Sequence, residues 1–190
     1  MKVDQIKKAN TKYIGKNIIY YKQIDSTHIK AKELVEKQIE NGTIIIAEEQ
    51  TAGIGTKGRV WYTGNENIAM TIVIYPDCKL EKLNGFTLKI GEIMKETISE
   101  LYQIQLEIKE PNDLMLNGKK ISGILTQTAT KEGKIQYLII SIGFNVNEEK
   151  FAKEINAIAT SLKKQYGKTF KREEIIIHFI EKLEIEIMKI

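Results

Sequence analysis

Residues 48–61 read EEQTAGIGTKGRVW, and the glycines in this stretch decide which class of fold the chain can adopt. Gly53, Gly55 and Gly58 have the spacing G-x-G-x-x-G, which in a dinucleotide-binding fold joins a strand to a helix whose N-terminus meets the pyrophosphate. Here a strand-like run precedes the glycines, but a polar loop and a second strand-like run follow them. The missing helix excludes that fold, and the lack of a following G-K-[ST] excludes a Walker-type phosphate loop.

The same loop leaves two interpretations open. Backbone N–H groups exposed by the glycines, together with Lys57 and Arg59, are suited to fold over an anionic ligand. A glycine-rich stretch between two strands is equally typical of a solvated turn. The residues of the loop do not by themselves separate these two interpretations.

Hydrophobic periodicity in the rest of the chain predicts an α/β (α+β) fold. Asp25 and Ser26 are suited to cap the first long helix, and Gly42 to end it. Asn117 and Gly118 lie between two apolar arms and predict a hairpin. The predicted strands cover 17–24, 43–49, 67–75, 104–109 and 135–144, with a turn at 131–134, and two predicted helices cover 80–102 and 171–190. We therefore expect a mixed, largely antiparallel sheet flanked by helices.

Composition narrows the class of protein. The 190 residues are 42% hydrophobic and 28% charged, which is typical of one globular domain, here residues 1–190. A net charge of +4 suits an anionic small ligand and is too weak to indicate nucleic-acid binding. One cysteine, no apolar run of membrane-spanning length and no signal-like N-terminus predict a cytoplasmic protein with no membrane partner.

The segment KEPNDLMLNGKKISGIL places oxygen ligands near two lysines. Asn112 and Asp113 offer oxygens suited to Mg²⁺. The turn that follows them doubles the chain back and returns Lys119 or Lys120 toward these oxygens. A lysine beside magnesium is suited to neutralise the charge that builds up on a phosphorus centre. Lysines near a hairpin are, however, most often simply solvated.

Four blocks of the sequence, in this order, resemble the catalytic domain of a biotin protein ligase. They are IDST (24–27), EEQTAGIGTKGRVW (48–61), PNDLMLNGKKISGIL (111–125) and GFNVN (143–147). The resemblance implies a biotin/lipoate ligase-like fold, related to class II aminoacyl-tRNA synthetases. It also implies a two-step reaction, in which biotin and ATP form biotinyl-5′-AMP and a lysine of an acceptor protein then takes the biotin.

The resemblance also implies roles for individual residues. Lys120 matches the catalytic lysine that bridges the biotin carboxylate and the α-phosphate. The positions that match the biotin pocket are Ser26, Thr27, His28, Gln50, Gly53, Ile54, Gly55, Thr56, Lys120 and Gly123. The positions that match the ATP site are Arg59, Trp61, Asn112, Asp113 and Asn145, and Asn112 and Asp113 also match the magnesium side of that site.

The chain departs from the family pattern in the glycine loop. The family usually has G-R-G-R-x-G-R there, whereas Ile54 and Thr56 stand at the two inner arginine positions. An arginine at position 56 would help to clamp the adenylate, and the loss of one charge-assisted contact costs about 1.5–3 kcal/mol. We therefore expect an enzyme that leaks its adenylate onto nearby lysines. His28 and Glu110 replace a usual asparagine and a usual tryptophan, and Glu110 is expected to loosen a wall of the pocket.

The resemblance implies ATP and biotin as substrates, Mg²⁺ as a cofactor, and the biotin carboxyl carrier domain of a carboxylase as acceptor, with other protein lysines as non-specific acceptors. No helix-turn-helix precedes the four blocks and no small β domain follows them in this sequence, so no nucleic-acid partner is expected. Two alternatives remain open: a lipoate or octanoate ligase of the same fold, and a non-catalytic biotin or nucleotide sensor. Lys120 argues against a sensor, because a pure binder needs no cation at a reacting centre.

Overall fold

The sheet is the organising element of the structure. The computed structural model describes residues 1–64 and 66–190, and these residues form one sheet of seven strands. The strands are β1 (Ile18–Ile24), β2 (Ile44–Gln50), β3 (Ile68–Ile74), β4 (Glu107–Lys109), β5 (Asp113–Leu116), β6 (Lys119–Lys131) and β7 (Lys134–Phe144). Their order is β1-β2-β3-β7-β6-β5-β4, with β1 and β2 parallel and every other neighbouring pair antiparallel. The expected mixed, largely antiparallel sheet is confirmed.

Helices cover both faces of the sheet. They are α1 (Val3–Ile6), α2 (Thr27–Val35), α3 (Phe86–Tyr102), α4 (Leu162–Tyr166) and α5 (Arg172–Ile187), with short 3₁₀ helices at Thr56–Gly58 and Leu80–Leu83. Among the described residues, no helix is both long and apolar enough to span a membrane.

Strand β3 shows why both faces must be covered, because all seven of its residues are buried. Met70 and Ile72 face the larger core, which is formed with α1, α3 and α5. Val73 points to the opposite face, where a smaller core forms with Ala31 of α2. A strand buried on both faces reads as an unbroken apolar run, as the sequence 68–74 does.

Helix α2 connects the parallel strands β1 and β2 and brings its N-terminus to their C-terminal ends. Ser26 caps the helix by accepting a hydrogen bond from the Ile29 N–H at 3.5 Å, as the sequence predicts. Ile24 pairs with Gln50 across the two strands. The first residues of α2 therefore lie beside the end of β2, which creates one corner of the cavity described below.

Three boundaries predicted from the sequence are wrong. The predicted helix 80–102 divides at Gly85, whose φ of +74° is left-handed, so that only a 3₁₀ turn precedes α3. Gly42 does not end α2, which stops at Val35; its φ of +79° instead serves a turn packed against Tyr13. The predicted strand 104–109 is reduced to β4, because its first residues pack into the core rather than pair with the sheet.

The two predicted hairpins are present. Asn117 and Gly118 have φ of +51° and +72° between β5 and β6. Glu132 and Gly133 have φ of +52° and +77° between β6 and β7. Positive φ at both central residues gives a turn whose twist matches that of the flanking strands. The first hairpin sets the position of Lys120.

Candidate active site

A cavity of about 500 Å³ lies where α2, the glycine loop and strands β5, β6 and β7 converge. Its lining includes all but one of the residues that the sequence assigns to a biotin or ATP site. The lining residues from that set are Ser26, Thr27, His28, Gln50, Ile54, Gly55, Thr56, Arg59, Trp61, Asn112, Asp113, Lys120, Gly123 and Asn145. The exception is Gly53, and Glu110 is exposed and also lies outside the lining. The structure thus brings together residues from four separate sequence blocks.

The corner between α2 and β2 forms a polar wall of the cavity. The backbone N–H of Thr27 lies in the first turn of α2, where no helical carbonyl is available to it. It donates instead to Gln50 Oε1 at 2.8 Å, and the Thr27 hydroxyl lies 3.0 Å from the same oxygen. Gln50 Nε2 donates to Thr63 Oγ1 at 3.0 Å. The amide of Gln50 is therefore held on both sides and presented to the cavity in one orientation.

The β5–β6 hairpin decides which of its two lysines faces the cavity. Lys120 lines the cavity, whereas Lys119 does not. Nζ of Lys120 lies 2.6 Å from Oδ1 of Asp113 and 5.5 Å from the centre of the Trp61 ring. This Asp113 oxygen is buried. Among the described residues it accepts no hydrogen bond of regular geometry, and its close polar contact is the Lys120 ammonium group. The expected return of a lysine toward Asp113 is confirmed.

A second chain segment holds the backbone of Lys120 from its other side. The Lys120 N–H donates to Ile158 O at 2.8 Å, and the Thr160 N–H donates to Lys120 O at 2.9 Å. Nδ2 of Asn145, which is buried, donates to Thr160 O at 3.0 Å and so ties this segment to the end of β7. Residues 155 and 157–159 complete the cavity lining. The sequence did not reveal them, because FAKEINAIAT has neither helical nor strand periodicity.

The glycine loop is closed on itself. The Gly55 N–H donates to Arg59 O at 2.7 Å, which makes the loop a tight turn. The Arg59 guanidinium donates to Thr56, with 3.3 Å from Nε to the carbonyl and 3.1 Å from Nη2 to Oγ1. A Cβ on Gly53 would lie 2.3 Å from the Trp61 carbonyl oxygen, so this glycine is required by the close approach of two backbones. Gly53 therefore shapes the loop without lining the cavity.

Trp61 packs into a slot between two strands. A Cβ on Gly143 of β7 would lie 2.1 Å from Cε2 of the indole, and a Cβ on Gly123 of β6 would lie 3.0 Å from Cζ3. The two glycines are directly paired in the sheet, so the indole lies over a bare patch of backbone. Gly143 was not among the predicted site residues. The signal that could have found it is an isolated glycine inside an apolar strand, which often marks a close approach.

Asn112 and Asp113 supply few ligands for a metal ion. Asn112 Nδ2 donates to Ile124 O at 3.1 Å, and Asp113 is the carboxylate of the pair. No group of three His, Cys, Asp or Glu side chains able to hold a metal occurs in 1–64 and 66–190. Mg²⁺ in nucleotide sites is commonly held by one or two carboxylates plus substrate phosphates and waters. The residues present would fit a magnesium ion that arrives with a nucleotide, for which Asp113 would be the available carboxylate.

His28 borders the cavity but is only 5% exposed. Its ring nitrogens are both engaged, Nδ1 with Ser141 Oγ at 2.8 Å and Nε2 with the side-chain amide of Gln127 at 2.9 Å. Burial lowers the pKa of His28, and the nearby positive charge of Lys32 lowers it further. The imidazole is therefore neutral at pH 7.

The chain is similar to known proteins over the same sequence blocks. The Biotin/lipoate A/B protein ligase family matches residues 20–145. The bifunctional ligase/repressor BirA of Bacillus subtilis is 37% identical over 173 residues, which are 90% of this chain and 53% of the relative. The biotin–[acetyl-CoA-carboxylase] ligase of Paracoccus denitrificans is 30% identical over 131 residues, or 64% and 51% of the two chains. The chain thus spans about half the length of these curated relatives.

A solved structure shares the fold and much of the chain. The biotin protein ligase from Aquifex aeolicus in complex with biotin and ATP has a TM-score of 0.77 at 29% identity, covering 92% of this chain and 71% of that one. The family match spans well over half of the residues and includes both the α2–β2 corner and the β5–β6 hairpin. The chain belongs to the Biotin/lipoate A/B protein ligase family.

Proposed function

We propose that this chain is the catalytic part of an ATP-dependent biotin–protein ligase, which forms biotinyl-5′-AMP and transfers biotin to a lysine of an acceptor protein. The observation that carries the proposal is the placement of Lys120. Its ammonium enters the cavity beside Asp113 and Trp61, while its neighbour Lys119 stays outside. The similar Aquifex aeolicus structure holds biotin and ATP.

The first step joins two anions, so positive charge at the meeting point should supply much of the catalysis. A carboxylate oxygen of biotin attacks the α-phosphorus of ATP, and the bond from that phosphorus to pyrophosphate breaks. The Lys120 ammonium screens both reactants as they approach. Mg²⁺ held by the nucleotide phosphates and Asp113 would neutralise charge on the pyrophosphate. Trp61 covers the nucleotide base, and Asn145 contacts the nucleotide.

In the second step, the amine of an acceptor lysine attacks the acyl carbon of the mixed anhydride. AMP leaves, and the amine loses a proton as the amide forms. The polar wall of Ser26, Thr27 and Gln50 holds the ring of biotin in place during both steps. The biotin carboxyl carrier domain of a carboxylase is the proposed acceptor, since the Paracoccus denitrificans relative is named for acetyl-CoA carboxylase.

The proposal is tested by biotin-dependent exchange of labelled pyrophosphate into ATP. Lys120→Ala should lower the exchange rate by about 10²–10³-fold, the effect expected when a charge at the reacting centre is lost. Lys119→Ala is the matched control, since Lys119 belongs to the same hairpin but does not line the cavity. Full exchange in Lys120→Ala would contradict the proposal. Exchange that requires lipoate or octanoate in place of biotin would favour the alternative ligases.

The closed loop supports a second proposal, that the enzyme releases part of its adenylate. Thr56 supplies no charge to the cavity and holds the Arg59 guanidinium at the loop itself. Thr56→Arg should restore one charge-assisted contact and retain the adenylate roughly tenfold to 150-fold longer. Labelling of an unrelated bystander protein, measured by mass spectrometry, should fall accordingly.

The control for this experiment is Lys57→Arg, which keeps the loop charge at an exposed position outside the cavity lining. Its bystander labelling should equal that of the unaltered chain. If the unaltered chain leaves the bystander unmodified while it labels the carrier domain, the leak does not exist.

A further inference from the structure

A chain of buried polar side chains runs beneath the cavity from His28 to Gln50. His28 Nδ1 lies 2.8 Å from Ser141 Oγ, and Ser141 Oγ lies 2.9 Å from Thr71 Oγ1. Thr71 Oγ1 lies 2.9 Å from Thr27 Oγ1, which lies 3.0 Å from Gln50 Oε1. None of the three hydroxyl residues is more than 9% exposed. Because these hydroxyl groups are buried, each is expected to direct its proton to a neighbour in the chain.

The direction of the chain is fixed at its Gln50 end. The backbone N–H of Thr27 can only donate, so the atom of Gln50 that it meets at 2.8 Å must be the amide oxygen. That oxygen cannot donate, and the 3.0 Å contact from the Thr27 hydroxyl therefore needs the hydroxyl's own proton. Each hydroxyl has one proton. Thr27 Oγ1 must then accept from Thr71, and Thr71 in turn must accept from Ser141.

The Ser141 hydroxyl in turn determines the tautomer of the imidazole. Ser141 has used its proton on Thr71, so its 2.8 Å contact with His28 requires a proton on Nδ1. A neutral imidazole carries one proton, which leaves Nε2 as an acceptor. The structure places Oε1 of Gln127 2.9 Å from Nε2, so this tautomer requires the Gln127 amide to be turned over, with its NH₂ group donating to Nε2. The two orientations of an amide have the same shape, and the hydrogen-bond network decides between them.

We propose that His28, held as the Nδ1–H tautomer, is a positioning residue: it donates to Ser141 and so leaves the Ser141 proton for Thr71, in the direction that Gln50 sets, with the protons of Ser141 and Thr27 pointing away from the cavity. Both hydroxyl residues line the cavity. With their protons committed within the chain, they offer a ligand only lone pairs. This wall therefore favours a ligand ring that carries N–H donors. The ligand part of the inference rests on the proposed function: the cyclic urea of biotin has two N–H groups, whereas the dithiolane of lipoate has none.

The tautomer can be measured without any ligand or turnover. The chain has two histidines, His28 and His178, so ¹⁵N-histidine labelling of a His178→Gln variant isolates the His28 signals. Long-range ¹H–¹⁵N spectra should show the proton on Nδ1. In Thr71→Val, which keeps the shape but removes the central hydroxyl, Ser141 is free to donate to Nδ1, and the proton should move to Nε2. A proton on Nε2 in the chain with Thr71 intact would overturn the proposal, whatever the ligase assay shows.

Binding of biotin in the absence of ATP tests the consequence. Thr71 does not line the cavity, yet Thr71→Val should weaken biotin binding by roughly threefold to tenfold, as expected for one misdirected hydrogen bond. His28→Asn should bind nearly as well as the unaltered chain, because its amide NH₂ replaces the Nδ1–H donor. His28→Leu removes the donor that holds the Ser141 hydroxyl and should weaken biotin binding, by no more than Thr71→Val does. Unchanged biotin affinity in both Thr71→Val and His28→Leu would refute the positioning role.

Discussion

Gly143 determines where the chain's one tryptophan can lie. Its missing side chain leaves the space that the Trp61 indole fills, with the nearest indole atoms 2.1 and 2.3 Å from a hypothetical Cβ. A contact this short cannot be relieved by a small shift of a rotamer, because the atoms belong to a rigid ring. The absence of a side chain at Gly143 thus fixes the position of Trp61, which lies in the connection between β2 and β3.

Replacing Gly143 should therefore move Trp61. In Gly143→Ala the indole is displaced from its slot toward solvent, and intrinsic tryptophan fluorescence of the ligand-free protein should shift to longer wavelength. The matched control is Gly91→Ala in α3, where a Cβ meets nothing closer than 3.6 Å. Gly91→Ala should leave the fluorescence unchanged and stabilise the helix by about 0.5–1 kcal/mol. An unshifted spectrum in Gly143→Ala would show that the slot does not hold the ring.

At the scale of single residues, the sequence predicted the cavity well and its supports poorly. The sequence motifs predicted Lys120 and Gln50 as cavity residues, because both residues lie within the motifs themselves. Thr71 and Ser141 were missed, since a polar residue inside an apolar strand looks like an ordinary interruption of the pattern until the neighbouring strands are known. Their role depends on strand register, which no local signal in this sequence specifies.

Helix α5 holds the beginning of the chain through one buried carboxylate. Glu184 is 4% exposed and accepts from three successive backbone N–H groups, those of Lys12 at 2.6 Å and of Tyr13 and Ile14 at 3.0 Å each. Burial alone would raise the pKa of Glu184, but these three donors lower it below its usual range. The helix thus fixes a loop that has no regular structure of its own.

Neutralising this carboxylate should loosen the loop. Glu184→Gln places an NH₂ group where an acceptor is needed, so it should lower the free energy of unfolding by about 1–3 kcal/mol. The urea midpoint measures this. Glu33→Gln is the control, since Glu33 makes only an exposed ion pair on α2, and such pairs contribute about 0–1 kcal/mol. Equal midpoints in the two variants would contradict the role given to Glu184.

The errors at the scale of elements also have local physical causes. The apolar spacing across 80–102 is continuous, but Gly85 takes a left-handed conformation that a continuous helix cannot contain. Gly42 has the conformation expected of a helix-ending glycine and uses it elsewhere, because α2 has already stopped at Val35. Hydrophobic periodicity predicted both helices, α2 and α3, but could not predict the residues at which they begin or end.

At the scale of the whole molecule, Glu48 joins elements far apart in sequence. It lies on β2 and accepts hydrogen bonds from Arg172 at the start of α5, from Tyr20 of β1 and from the N-terminal ammonium. Burial by itself would raise the pKa of Glu48, but hydrogen bonds from Arg172 and the ammonium outweigh it and lower the pKa to about 2. The same carboxylate therefore links stability to pH.

This link predicts an acid-sensitive fold. The folded pKa of about 2 lies below the ordinary value of 4.5, so the stabilisation is complete above about pH 5 and is lost as the pH falls toward 2. The shift corresponds to about 3 kcal/mol. Unfolding free energies measured from pH 7 to pH 2 should fall more steeply in the unaltered chain than in Glu48→Gln. Parallel curves would show that other carboxylates dominate.

The backbone of Lys120 is gripped on one edge by β5 and on the other by residues 158–160. Moving the Lys120 backbone would break its two main-chain hydrogen bonds to residues 158 and 160 and disturb its pairing with Met115 of β5. Any movement of the Lys120 amine must therefore come from rotation about the bonds of its own side chain. Side-chain torsions of that kind change in picoseconds to nanoseconds, far faster than any segment of backbone refolds. Releasing Asp113 to meet an incoming substrate would then be a rotation of the Lys120 side chain on a fixed backbone.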